Sequence, residues 1–235
     1  MSLKLGLPSK GRLQEQCIDW FAGHGVSVER SGAEREYAAR VNGIAGIDLV
    51  LLAAGEIPRE LALGRIHLGI TGQDLVRETI ADWHGRVAEL ARLGFGRADL
   101  VLAVPAVWVD AVTVDDLDAV AASFRARHGF RLRIATKYHR LVREFLRARG
   151  IADYQLVESQ GATEATVKNL TAEMIADITT TGETLRANHL RPLVDGLILR
   201  SEAALFAARG ADWGEGARTA LTALCARLGI AVPEL

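Results

Sequence analysis

The sequence lacks most of the features that assign a chain to a class at sight. Cys17 and Cys225 are its two cysteines in 235 residues. They form no C-x-x-C pair, so no disulfide framework is expected. The histidines His24, His67, His84, His128, His139 and His189 show neither H-x-x-x-H spacing nor a nearby cysteine, which argues against zinc. An excess of one charge is missing too. Lys and Arg number 28 against 29 Asp and Glu, a net charge of −1. A polynucleotide binder would usually be basic, and without blocks of like charge a polybasic membrane patch is not expected either. No apolar run approaches the roughly 20 residues needed to cross a bilayer. The opening Met1-Ser-Leu-Lys-Leu-Gly-Leu-Pro8 breaks at Pro8 and Lys10, too early for a signal-peptide core. There is no internal repeat, low-complexity tract or proline-rich linker, so any domain boundary should be a crossing strand. The expectation is a cytoplasmic globular protein that binds neither nucleic acid nor membrane.

What is present is apolar and regular. Hydrophobic residues make up 49% of the chain, and at about 150 residues per domain the length suits one large domain or two small ones. Either can bury a core without disulfides. Strand-like runs are expected at Leu3–Leu7, Ile47–Leu52, Leu68–Thr71, Asp99–Pro105, Arg131–Thr136, Tyr154–Glu158, Met174–Thr179 and Gly196–Leu199. Several are continuous aliphatic runs, the mark of strands covered on both faces. Helix-like segments fall between them at Arg12–Ala22, Ile57–Leu63, Gln73–Asp82, Asp115–Ala126, Arg140–Arg149, Thr163–Leu170 and Glu215–Leu228. Thr113 or Asp115 can cap the central helix, and Gly129 and Gly150 sit where helices should stop. In the last helix Leu221, Leu224, Cys225 and Leu228 form one apolar stripe, so Cys225 reads as core, as does Cys17 beside Leu13 and Ile18. Alternation of this kind predicts an α/β protein with mostly parallel sheets.

The sharpest chemical signal is Met174-Ile-Ala-Asp-Ile-Thr-Thr-Thr-Gly-Glu-Thr-Leu185. Asp177 at a strand end can accept hydrogen bonds from vicinal ribose hydroxyls. Thr179, Thr180 and Thr181, with the backbone amides of a turn entering a helix at Glu183 and Thr184, can surround a phosphate dianion. Gly182 allows the backbone conformation and the close approach that this needs. An ordinary strand-to-helix turn with threonine caps is the alternative. A second signal, Leu7-Pro-Ser-Lys-Gly-Arg-Leu13, places Lys10 and Arg12 around Gly11 at the carboxyl end of a strand, where open α/β sheets bind ligands. It lacks P-loop spacing, and a solvated basic turn explains it equally well. Leu68-Gly-Ile-Thr-Gly-Gln-Asp74 repeats the strand–glycine–helix pattern, with Asp74 read as structural, since an acid at a helix start is favourable by itself. In Arg133-Ile-Ala-Thr-Lys-Tyr138, Lys137 can neutralise a polyphosphate or simply face solvent. Gly94-Phe-Gly96 is not a dinucleotide fingerprint, and no G-x-S-x-G appears. Glu158 and Glu164 can form a carboxylate pair near a sugar, although spacing alone does not establish one.

Taken in order, these segments resemble the ATP phosphoribosyltransferase family, which opens histidine biosynthesis. The resemblance is carried by Leu3 to Leu13, Gly55-Glu-Ile-Pro58, Gly64 to Glu78, Leu93-Gly-Phe-Gly96, Arg133 to Tyr138 and the stretch from Gly161 to Leu190. The family signature begins with a glutamate, matched by Glu164, and closes on Asp177 to Leu185. Two departures are visible. Leu170 stands where the family usually has glycine, which predicts altered helix termination. Leu51-Leu-Ala-Ala54 lacks a basic residue that relatives often carry for ATP.

The resemblance implies two mixed α/β domains like those of type II periplasmic binding proteins, with the active site in the cleft between them. Domain I would comprise residues 1–103 and 191–235 and domain II residues 104–190, with crossings near Val104 and Leu190. It implies a glycosyltransferase (a pentosyltransferase) joining adenine N1 of ATP to C1 of 5-phosphoribosyl 1-pyrophosphate, with inversion and loss of pyrophosphate. Positioning and electrostatics would carry the rate, with no catalytic nucleophile. Asp177, Thr179, Thr180, Thr181, Gly182, Glu183 and Thr184 would hold phosphoribosyl pyrophosphate; Lys10, Gly11, Arg12, Lys137 and Glu164 would face ATP and polyphosphate. Mg²⁺ would accompany the pyrophosphate. The length is similar to the family's short form, which works in a hetero-oligomer with a regulatory subunit resembling histidyl-tRNA synthetase. Two rivals remain. Type I phosphoribosyltransferases usually carry adjacent acids, whereas Asp177 follows Ala176. Solute-binding or effector-sensing modules of the same fold usually carry a signal peptide or a fused DNA-binding region.

Overall fold

A computed structural model describes residues 2–30, 38–159 and 161–235. The chain forms two compact units, Met1–Gly96 with Glu202–Leu235, and Arg97–Ser201. The first contains β1 (Leu3–Pro8), α1 (Gly11–Gly23), β2 (Ser27–Arg30), β3 (Ala38–Asn42), β4 (Ile47–Leu52), α2 (Ile57–Ala62) and β5 (Leu68–Gly72). It continues through α3 (Gln73–Thr79), α4 (Trp83–Arg86) and β6 (Val87–Arg92). The second holds β7 (Ala98–Pro105), α5 (Val114–His128), β8 (Leu132–Thr136), α6 (His139–Ala148) and β9 (Tyr154–Glu158), followed by α7 (Ala165–Lys168), β10 (Met174–Thr179), α8 (Glu183–Ala187) and β11 (Leu190–Ser201). The chain then returns to the first unit for β12 (Ala203–Ala208) and α9 (Glu215–Leu228).

The first sheet has the order β2-β3-β4-β1-β5-β12-β6 and the second β11-β7-β10-β8-β9. Among the described residues only the β1/β4, β1/β5, β10/β8 and β8/β9 pairs are parallel. The sheets are therefore mixed, which corrects the expectation of mostly parallel pairing. The antiparallel partners include short strands with little aliphatic signal, such as β2, and a strand built mainly of alanine, β12.

β12 shows why such strands are hard to read. Ala203, Leu205 and Ala207 enter a core with Leu3, Leu5, Phe21 and Leu224, while Ala204, Phe206 and Ala208 enter another with Ile57, Leu61 and Val76. The period-two geometry of a strand is intact. Both faces are buried, so polar alternation is absent and the composition reads as neither strand nor helix.

The chain passes between the units at residues 96–97 and 201–202. β7 and β11 pair antiparallel from Ala98↔Ser201 to Pro105↔Leu190, which keeps both strands within the second unit. The expected crossings at Val104 and Leu190 thus lie at the far end of that pair, inside the unit. β11 also extends well beyond the expected Gly196–Leu199, with register irregularities between Pro192 and Leu199.

Thr113 caps α5: its hydroxyl accepts from Asp116 N at 3.2 Å and the Asp116 carboxylate accepts from Thr113 N at 2.7 Å. Those backbone bonds hold the Asp116 carboxyl below its ordinary value. Gly129 closes the helix with φ 76°. Cys17 and Cys225 lie in the first unit's core, where burial pushes the Cys17 thiol up to about 12. The predicted helix at Thr163–Leu170 is a single turn, Ala165–Lys168. Its termination is not altered as expected. Thr171 N–H donates to Thr166 O and Leu170 N–H to Val167 O, a Schellman closure. Leu170 occupies the glycine position with φ 57° while 79% exposed.

Candidate functional site

β10 carries the strongest sequence signal to the edge of its sheet. Met174, Ile175 and Ala176 are fully buried, and the strand emerges at Asp177. Asp177 Oδ1 accepts from Ile178 N at 2.8 Å. The threonines then build the turn. Gly182 N–H donates to Thr179 Oγ1 at 2.9 Å, Glu183 N–H to Thr181 Oγ1 at 3.4 Å, and Thr180 Oγ1–H to the Arg97 carbonyl at 3.2 Å. Gly182 sits at φ 72°, ψ 4° and opens α8 without a side-chain cap. That left-handed conformation is the reason for glycine. A Cβ there would otherwise meet only the flexible Arg186 guanidinium, at 3.1 Å. Thr180, Thr181, Glu183 and Thr184 face solvent. Of the hydroxyls that sequence reasoning assigned to a phosphate, those of Thr179 and Thr181 thus serve the turn's own amides and that of Thr180 the Arg97 carbonyl, so that the turn's donors are collected in one bend.

Because β8, β9 and β10 are parallel, their carboxyl ends share one sheet edge, where open sheets place ligands. That edge gathers Lys137, Ser159 and the threonine turn, with Glu164 on the connection that follows β9. Lys137 is exposed, its Nζ 5.1 Å from the Tyr138 ring centroid. Beneath it, buried Thr136 accepts from Tyr138 N at 2.9 Å. Glu164 is half-buried at the start of α7. Glu158 lies 2.9 Å from His139 Nε2. The antiparallel pairing of β7 brings Asp99 opposite Thr179, and so places Arg97 to Asp99 on the same edge. No local sequence signal pointed to those residues; a long-range strand pairing put them there.

The other predicted residues lie on the first unit. β1, β4 and β5 are parallel, so their carboxyl ends also share an edge. Lys10 precedes α1 in an extended conformation with no side-chain cap, and the first turn holds no acid. Gly11 has φ 78°, and Lys10 and Arg12 are exposed. A helix start with uncapped amides and flanking cations is compatible with an anion. Leu7 and Pro8 pair with Leu51 and Leu52, which sets Lys10 beside the Leu51–Ala54 stretch that lacks a basic residue. Gln73 and Asp74 are buried. Gln73 bonds Glu89 Oε2 at 2.8 Å and receives Glu202 N–H at 3.3 Å, a structural role in keeping with the reading of Asp74. Among the described residues no group of three or more His, Cys, Asp or Glu could cage a metal ion.

Comparison with known proteins places the chain by family and fold. The family model described as HisG, ATP phosphoribosyltransferase, matches residues 53–229. An ATP phosphoribosyltransferase of Cereibacter sphaeroides is 67% identical over 234 residues, covering 100% of this chain and 99% of that one. Among solved structures, the ATP phosphoribosyltransferase (HisG:HisZ) complex of Thermotoga maritima superimposes with a TM-score of 0.72 at 21% identity, covering 97% of this chain and 96% of that one. A substrate-binding protein of an amino-acid ABC transporter follows at TM-score 0.50 and 14% identity, over 97% and 91% of the two chains. The two mixed α/β units are thus of the periplasmic-binding-protein type.

Proposed function

This chain belongs to the ATP phosphoribosyltransferase family, and from that premise we infer the division of labour among its residues. The enzyme transfers the 5-phosphoribosyl group to ATP, the first step of histidine biosynthesis. In our reading adenine N1 attacks C1 of phosphoribosyl pyrophosphate with inversion, and pyrophosphate departs. The observation that carries the site assignment is the threonine turn around left-handed Gly182, whose amides and hydroxyls converge at a strand end. It would hold the ribose 5-phosphate through Thr179, Thr180, Thr181, Glu183 N–H and Thr184, with Asp177 accepting from the ribose hydroxyls. Lys10 and Arg12, with the amide of Gly11, would meet polyphosphate and supply the charge absent at Leu51–Ala54. On the second unit Lys137 would face polyphosphate, and Glu164 would orient the ribose or the adenine. No residue need act as nucleophile, since aligning two polyanions and stabilising the leaving group supplies most of the acceleration.

Mg²⁺ would neutralise the departing pyrophosphate. Such an ion usually keeps several waters and is held through substrate phosphates with few protein ligands. With Asp177 given to the ribose, Glu183 is the turn's remaining carboxylate for it. We further propose a cytoplasmic hetero-oligomer with a synthetase-like regulatory subunit. No helix among the described residues is long and apolar enough to cross a membrane. The test is pyrophosphate release from phosphoribosyl pyrophosphate, assayed with and without that subunit. Release that depends on ATP in either condition is the expected result. Release with hypoxanthine or orotate but not ATP would assign a type I enzyme, and binding without turnover in both conditions would make the chain a sensor.

A further inference from the structure

A groove on the second unit meets the edge described above only at His139, which lies against Glu158. It has a volume of about 640 Å³ and lies where α6 passes over β9, the edge strand of its sheet. Arg131, His139, Arg143, Arg147, Tyr154 and Gln155 line it, with Ile151 and Leu156 in its wall.

The arginines around it fall into two groups. Arg140 pairs with Glu144 at 2.7 Å and Arg149 with Asp195 at 2.8 Å. Arg125 pairs with Asp153 at 2.5 Å, which leaves Arg131 3.9 Å from the same carboxylate. Arg143 and Arg147, one helical turn apart and exposed, have no ion-pair partner among the described residues. Like charges so spaced on a helix repel, and both line the groove. Burial raises the Tyr154 phenol, with Arg143 opposing, so that it stays a hydrogen-bond donor.

We propose that this groove binds a phosphorylated small molecule of nucleotide size. Arg131, Arg143 and Arg147 would hold its phosphates, and its apolar part would lie against Tyr154, Ile151 and Leu156. Guanidinium forks match phosphate oxygens, and three of them call for a multiply charged ligand. The volume is that of a small-molecule pocket, within roughly 300–1,000 Å³, and far exceeds a lone phosphate. Gly150 to Ala152 and the starts of β8 and β9 bound the groove, whereas the threonine turn follows the carboxyl end of β10. A five-residue strand separates those ends by roughly 16 Å. His139 alone reaches the carboxyl edge, and none of the phosphate-binding residues of the substrate assignment lines the groove.

The test is an amide NMR titration of the ¹⁵N-labelled chain with tripolyphosphate and, separately, with ATP. Resonances of Gly150 to Leu156 should shift saturably, whatever the threonine turn does. In Arg143→Gln/Arg147→Gln those shifts should need at least about tenfold more ligand, because two charge-assisted contacts are lost, while shifts at the turn stay unchanged. Both positions are exposed and glutamine is a good helix former, so the fold should hold. Arg59→Gln/Arg227→Gln, which removes equal charge elsewhere, should behave as the parent. Silent groove amides, equal shifts in the double variant, or tighter binding of an oligoglutamate peptide than of either phosphate would each overturn the proposal; the last would make the groove a protein-docking surface.

Discussion

In the proposed assignment the two strand-end edges would meet anions in different ways. At the β10–α8 turn the donors are hydroxyls and amides already bonded to one another, and Thr180 ties the bend to the Arg97 carbonyl. At the β1–α1 turn the means are exposed charges, Lys10 and Arg12, on an uncapped helix start. The first arrangement, bonded within itself, would recognise shape. The second attracts over distance and leaves geometry to the ligand. In the proposed reaction that division is useful: the sugar phosphate must be held in line, whereas the polyphosphate mainly needs neutralising.

The contrast can be broken most severely at Asp177. Asp177→Asn should lower kcat/KM for phosphoribosyl pyrophosphate roughly 10- to 100-fold, the worth of a charged hydrogen bond. The ATP KM and the thermal midpoint should stay unchanged. Steady-state kinetics equal to the parent's would remove Asp177 from the site. A gentler test is Lys10→Gln with Arg12→Gln, expected to raise the ATP KM about five- to tenfold at low salt, as for two solvent-exposed charge contacts. That defect should shrink above about 0.1 M salt, where exposed charges more than about 10 Å apart are screened. The Asp177→Asn defect should persist at all salt concentrations; if both variants lose their defects together, the distinction between shape and charge fails.

The smallest effect sharpens the comparison from outside the two edges. Leu170 holds a left-handed conformation, closing α7 ahead of β10, and is anchored where Arg133 donates to its carbonyl at 3.0 Å. Such a conformation costs a non-glycine residue about 1–2 kcal/mol, while glycine returns roughly 0.5–1 kcal/mol of that through unfolded-chain entropy. Leu170→Gly should therefore stabilise the protein by about 0.5 kcal/mol, read as a higher urea midpoint with unchanged slope, and leave both KM values alone. A lower midpoint would show that the exposed leucine makes a contact worth more than its strain.

Legibility along the chain followed how local the determinant was. The β10 run, the α9 stripe and the α5 cap were visible because each depends on neighbours within a few residues. Thr113 and Asp116, three residues apart, close their own capping box. β12 was not visible, because Ala203 to Ala208 is a strand only by virtue of the two cores that cover it. Nor were the true crossings, since Ala98 and Ser201 meet through a pairing across a hundred residues. At the site, Asp177 to Thr184 announced themselves as a contiguous run. What that run bonds to did not: the hydroxyls turned inward to their own amides, and Arg97 entered as a partner from another strand.

By itself the sequence determined the alternation of strands and helices, the buried cysteines, the family and the residues at each strand end. Each of these rests on side-chain chemistry or on periodicity over a short window. Tertiary structure alone decided which strands run antiparallel, where the chain crosses between its units, and which arginines near the groove pair with a carboxylate among the described residues. Those outcomes depend on groups far apart in the chain meeting across a sheet or a helix face, and no local pattern encodes which distant backbone edge or carboxylate will be nearest.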